Sequence, residues 1–245
     1  MSAAAKQGIR GWKALKPMPQ GGRYNHGCCE IDDHCMIIVG GLGAGCTFSS
    51  GMIYDARTEL WTPLPNDMPE PLSSFGITGN DKHVLIIGGM NARDGFSNTV
   101  YRLSLETYKW TTMAPMVTAR RGFAAVWKGD CIYVFGGYCG SVSRLVERYS
   151  TAGNTWESLP DMEKERLDHC AVTGLGSDIY IFGGEDINDS LEIFDTASFL
   201  WKSAGTLREI PGKMCAALVL LKEQYLVKSW RLGCRLWCYF RLYYL

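Results

Sequence analysis

The sequence is informative first for what it does not contain. It has no charge excess, since 25 lysines and arginines are matched by 25 aspartates and glutamates. A surface that tracks phosphates carries a clear basic surplus, so nucleic acid is not an expected partner. No run of about 18 uncharged apolar residues occurs, which leaves no expected membrane-spanning helix and no expected membrane partner. Residues 1–12 lack the apolar segment of a secretory leader. None of the ten cysteines stands in a Cys-x-x-Cys pair. They are expected to be buried thiols in a reducing, cytoplasmic or nuclear setting. No glycine-rich phosphate loop precedes a credible helix, and there are four histidines in all: His26, His34, His83 and His169.

What is present repeats. Gly-Gly pairs stand at Gly40-Gly41, Gly88-Gly89, Gly136-Gly137 and Gly183-Gly184, spaced 48, 48 and 47 residues apart. Each ends an apolar run such as Val84-Leu85-Ile86-Ile87 or Ile132-Tyr133-Val134-Phe135. Tryptophans keep the same beat at Trp12, Trp61, Trp110, Trp156 and Trp201. Seven residues before each of the last four sits Tyr54, Leu103, Tyr149 or Phe194.

These features describe a four-stranded unit. A short apolar run bounded by turns is a strand buried on both faces. Paired glycines allow a turn where a Cβ would not fit. One tryptophan per unit gives a large plate to bury on the next sheet, and a single sheet cannot bury both faces alone, so the units must stack. Inner strands are predicted near 27–31, 75–79, 123–127 and 170–174, with Gly-Gly strands near 35–39, 83–87, 131–135 and 178–182. Third strands centre on Tyr54, Leu103, Tyr149 and Phe194, and fourth strands on the tryptophans. An apolar strand, Gly-Gly, an aromatic and a tryptophan on a period near 50 residues resembles the kelch repeat, over about residues 12 to 228. The fold class expected is all-β: a kelch-type β-propeller of four complete four-stranded blades and a fifth formed by the two chain ends.

In that fifth unit Trp12 would supply the fourth strand, and Cys215 to Leu220 and Gln224 to Lys228 the first two. The propeller domain is set at residues 1–228, and 229–245 is an atypical tail. Where Gly-Gly is due, the chain reads Lys228-Ser229-Trp230. The tail alternates with a period of two, and three readings stay open. It supplies the missing third strand, or its cations lie on a membrane surface or in an acidic groove, or it is a truncated or non-native end.

The resemblance also implies where chemistry or binding would occur. A galactose-oxidase-like copper site needs tyrosine, histidine and a thioether-forming cysteine. The iron signature Glu-x-x-x-Asp-x-x-x-His of kelch-type specifier proteins is not found, because Glu157 and Glu185 find the aspartate but not the histidine. Sialidase-type Asp boxes are missing too. His26 and His169 each follow an arginine by three residues (Arg23, Arg166), which repetition explains better than metal ligation. The acidic cluster Asp161, Glu163, Glu165 and Asp168 reads as a solvated loop. No catalytic residue, metal ligand or cofactor is assigned, and the runner-up is a carbohydrate-handling enzyme such as a sugar oxidase or sialic-acid mutarotase. In the kelch adaptors of ubiquitin ligases, the mouth is lined by arginines before the inner strands and by residues after Gly-Gly. The matching positions are Arg23, Arg121 and Arg166, with Tyr24, Asn91, Arg93, Tyr138 and Glu185. A mouth with three arginines implies a protein or peptide partner of acidic character. The expected function is a non-catalytic interaction module, a scaffold or a substrate-recognition adaptor. No BTB-like or F-box-like helical region is seen, so a ligase role would need a separate subunit.

Overall fold

The computed structural model describes residues 16–19, 21–92, 95–184, 190–206, 214–221, 224–231 and 241–244, and only the backbone after residue 202. The apolar runs become the second strands of four antiparallel sheets. Blade 1 is built from Gly27–Glu30, Cys35–Val39, Gly51–Asp55 and Leu60–Pro63. Blade 2 is built from Gly76–Gly79, His83–Asn91, Gly95–Ser104 and Trp110–Met113. Blade 3 uses Ala124–Lys128, Cys131–Phe135, Val146–Ser150 and Thr155–Leu159, and blade 4 uses Cys170–Thr173, Asp178–Phe182, Ser190–Asp195 and Leu200–Thr206. Each strand predicted for blades 1 to 4 forms within a residue or two of its expected place. The exceptions are the blade 2 hairpin, which runs on through Gly88-Gly89 with a register shift at Ile87/Gly89, and the extended strand Leu200–Thr206. The four inner strands lie side by side in chain order, and blade 4's is followed by Met214–Leu221.

The alternation of side chains across a strand explains why the runs are continuously apolar. Val84 and Ile86 meet Ile37, Val39 and Leu64 of blade 1. Leu85 and Ile87, on the other face, meet Ile132, Val134 and Tyr149 of blade 3. Tyr133 and Phe135 in turn meet Ile179, Ile181 and Phe194 of blade 4. The core therefore lies between the sheets, and each fully buried aliphatic contributes about 1.5–3 kcal/mol. The loops after the tryptophan strands add Met68, Met116 and Met162, all buried between neighbouring blades.

The tryptophans join the blades by a repeated hydrogen bond. Trp110 Nε1 donates to the Asn66 carbonyl at 3.1 Å, Trp156 Nε1 to Ala114 at 2.8 Å and Trp201 Nε1 to Pro160 at 3.0 Å. Each acceptor lies in the loop after the preceding blade's fourth strand. Trp61 Nε1 makes the same bond to the Lys16 carbonyl at 3.1 Å. Lys16 thus sits where such a loop of a preceding blade would be, while Trp12 lies outside the described residues. At the other end Met214–Leu221, Gln224–Arg231 and Arg241–Tyr244 form a three-stranded antiparallel sheet. Of the tail, residues 229–231 extend its second strand and Arg241–Tyr244 occupies its third position. Among the described residues, no helix is long and apolar enough to cross a membrane.

Candidate binding mouth

Two loop sets meet on one face, and a small two-residue ladder holds them together in blades 1 to 3. Tyr24 and Leu42 exchange backbone hydrogen bonds of 2.9 and 2.8 Å, Ser73 and Met90 of 3.0 and 2.8 Å, and Arg121 and Tyr138 of 3.1 and 2.8 Å. One partner of each pair precedes an inner strand and the other follows Gly-Gly. The glycines make this approach possible. Gly136 and Gly137 have φ of 60° and 95°, and the Gly137 N–H donates to the Arg166 carbonyl at 2.8 Å. A Cβ at Gly136 would lie 2.7 Å from that same carbonyl oxygen, so glycine is required both by φ and by space.

The arginines do not line the mouth as the sequence suggests. Arg166 is completely buried, its guanidinium 2.8 Å from Glu192 and 2.6 Å from the Gly183 carbonyl. Arg23 is buried as well; it donates to the carbonyl and hydroxyl of Ser50, both at 2.7 Å, and stacks over the Phe48 ring at 4.3 Å. Both are corrections: their side chains turn into the blade, where backbone carbonyls left free at the Gly-Gly turn need donors. Their repeat partner is Arg120, not Arg121. Arg120 is fully buried, donates to the carbonyls of Gly136 and Leu145 at 3.0 Å each, and pairs with buried Glu147.

These arginines fasten blade to blade. The backbone of Arg120 belongs to blade 2, with its N–H donated to Ser97 at 3.2 Å and its carbonyl accepting from Gly89 at 2.9 Å, while its guanidinium belongs to blade 3. Glu147 closes the device by accepting the Val117 N–H at 2.8 Å and the Thr118 N–H at 3.2 Å, and Glu192 accepts the Glu163 N–H at 2.7 Å. Blade 2 replaces both members of the pair. Leu72 stands at the arginine position and Tyr101 at the acid position, and the Tyr101 hydroxyl donates to Glu70 at 3.0 Å. In blades 3 and 4 the buried charge thus meets a buried counter-charge, whereas Met52 stands at the acid position of blade 1 and Arg23 donates to the Gly40 and Ser50 carbonyls and the Ser50 hydroxyl.

What the mouth exposes is largely aromatic. Arg121 lies over the Tyr138 ring at 5.2 Å, and Tyr138 meets Phe96 of blade 2 edge-on at 5.5 Å. Tyr24 is 58% exposed. Asn91 is held by Glu70 at 3.2 Å. Arg93 and Glu185 lie outside the described residues. Sequence reasoning missed Arg120, Glu147, Glu192 and Phe96. Two signals pointed to the first three: Arg23, Arg120 and Arg166 each stand four residues before an inner strand, and an acid stands two residues before the third strand's aromatic, Glu147 before Tyr149 and Glu192 before Phe194.

The two candidate histidines are interior groups. His26 and His169 occupy the position filled by Phe75 and Phe123 in the other blades. Burial pushes the His169 pKa down to about 3, helped by the Arg166 charge and opposed in part by the Phe135 backbone. Burial lowers His26 too. Among the described residues, no group of three histidine, cysteine, aspartate or glutamate side chains could hold a metal. In the acidic cluster Asp161 approaches Arg144 at 3.9 Å, and Glu163 and Glu165 are exposed.

Comparison with known sequences agrees with this architecture. The family model described as the Attractin/LZTR1 beta-propeller matches residues 10–192, three quarters of the chain. The chain belongs to that β-propeller family. Its relatives carry kelch names. It is 28% identical to Kelch-like protein 38 of Rattus norvegicus over 81% of this chain and 35% of that protein. It is 29% identical to Kelch-like protein terF of Aspergillus terreus over 71% and 39%, and 27% identical to Kelch domain-containing protein 3 of Bos taurus over 73% and 56%. The chain spans about a third of the length of the Kelch-like proteins it matches. It is a kelch-type propeller, the fold that its glycine and tryptophan spacing predicts.

Proposed function

We propose that this kelch propeller is a non-catalytic protein-interaction module that receives a peptide segment of a partner across the mouth. The observation that carries this reading is the Arg121, Tyr138 and Phe96 cluster. It presents a half-exposed guanidinium and two rings on loops locked by paired backbone bonds. Aromatic side chains and arginine on a rigid support are the groups that dominate peptide and protein recognition, because little side-chain freedom is lost on binding. An acidic preference then rests on Arg121 rather than on a ring of arginines, since Arg23 and Arg166 are committed to the blades. Kelch-type relatives support an adaptor or scaffold role. Recruitment to a ubiquitin ligase would be the work of segments or subunits other than the blades described.

The test is quantitative binding of captured partner fractions to the parent and to Arg121→Ala and Tyr138→Ala, after all are shown to melt alike. Loss of one charge-assisted contact of about 1.5–3 kcal/mol weakens binding roughly ten- to a hundredfold. Unchanged affinity in both variants would place the binding surface elsewhere.

A further inference from the structure

A second opening lies on the opposite face, between blades 2 and 3. Its volume is about 310 Å³, and its walls come from the turn at Asn80 and His83, from Arg102 and Met113, and from Trp127 and Tyr149. The third strands of blades 2 and 3 carry arginines at the same repeat position, Arg102 and Arg148. They meet different partners. Arg148 pairs with Glu157 directly across the ladder and stacks over Phe199 at 4.7 Å. The residue across from Arg102 is Thr111, which offers no charge. Among the described residues the Arg102 guanidinium makes no hydrogen bond or ion pair, and its charge acts on both His83 and Tyr149. Trp127 has no tryptophan counterpart, because the other blades have Glu30, Gly79 and Thr173 at that place. Its Nε1 donates to the Gly129 carbonyl at 2.9 Å, which fixes the indole as one wall.

We propose that this cleft binds a carboxylate carried on a flat or apolar body, with Arg102 taking the acid as Glu157 is taken by Arg148 and Trp127 covering the body. An arginine fork matches a carboxylate with two parallel hydrogen bonds, and an aromatic wall beside it excludes water and strengthens them. His83 is held largely neutral by burial, by Arg102 and by Lys82, so it serves the carboxylate as a hydrogen-bonding group at neutral pH. Asp130 also lines the cleft but stands exposed, where solvent screens its repulsion. The carboxylate could come from an acidic or C-terminal peptide residue or from a free small acid, and the two share this chemistry.

The experiment titrates the intact protein with sodium hippurate, an aromatic acylated glycine, and with the neutral hippuramide. It follows the Trp127 indole N–H resonance, assigned with Trp127→Phe. A saturable shift with hippurate, at least tenfold weaker with hippuramide and lost in Arg102→Gln, is the expected result. Arg148→Gln should leave the titration unchanged, and Asp130→Asn should tighten it. A short peptide ending in Phe-Gly separates the sources: tighter binding than hippurate assigns a peptide terminus, and weaker binding assigns a free acid. No saturable shift with either acid, or equal shifts in the parent and Arg102→Gln, overturns the proposal. Neither result touches the mouth, which lies on the other face.

Discussion

Replacing His169 by phenylalanine tests the interior of the propeller in a way no mouth substitution can. The imidazole is 3% exposed, and neither ring nitrogen has a hydrogen-bond partner of normal geometry among the described residues. Its Cε1 lies against Gly136, where a Cβ would approach it to 2.9 Å, and Phe75 Cε1 packs on Gly40 in the same way at 2.8 Å. The repeat itself therefore shows that the site accepts a phenyl ring. Burial lowers the His169 pKa from 6.5 to about 3, so the folded protein holds the ring neutral while the unfolded chain takes up a proton near pH 6.5. Stability is thus complete above pH 6.5 and is lost as pH falls toward 3. The slope is about 1.4 kcal/mol per pH unit, or about 2 kcal/mol lost by pH 5. Urea unfolding of parent and His169→Phe at pH 7.5 and pH 5.0 measures this directly. The parent should lose about 2 kcal/mol more than the variant between the two pH values, with the share of His26 common to both and cancelling. A variant that loses as much stability as the parent would refute the idea that His169 is held neutral by the fold.

Other expectations follow from the blade junctions. Gly136→Val should destabilise by about 2 kcal/mol or more, because φ is positive and the Arg166 carbonyl blocks a Cβ; thermal melting reads this directly. Arg120→Leu leaves Glu147 charged and buried and should cost about 3–5 kcal/mol. Adding Glu147→Tyr, which recreates the Leu72 and Tyr101 arrangement of blade 2, should recover part of that loss in a double-mutant cycle. Trp156→Phe removes the indole bond to the Ala114 carbonyl and should cost about 1 kcal/mol beyond any packing change, seen as a shifted urea midpoint.

The sequence showed more of the blades than of the mouth, for a reason visible at Arg120 and Arg121. The strands are set by local rules: apolar runs of fixed length, glycine turns and a tryptophan at constant phase. Their boundaries could therefore be read one repeat at a time. Successive side chains of extended chain point to opposite sides, so one residue decides between a buried clamp and an exposed platform. Aligning Arg121 with Arg23 and Arg166 shifted that choice by one position. Even correct alignment would have placed Arg120 in the loop set of the mouth without saying which way its guanidinium turned.

The direction is decided by neighbours distant in the chain. Glu147 lies 27 residues from Arg120 and Glu192 lies 26 residues from Arg166, and only the packing of adjacent blades brings each pair into the same dry space. Likewise Phe96 reaches Tyr138 only because blades 2 and 3 are neighbours. Strand order within blades 1 to 4 and the need for glycine at the turns were fixed by residue type and spacing alone, because those depend on backbone geometry within a repeat. Which charged groups are buried, and which remain for a partner, depends on desolvation and pairing between repeats, and the tertiary structure alone decides that.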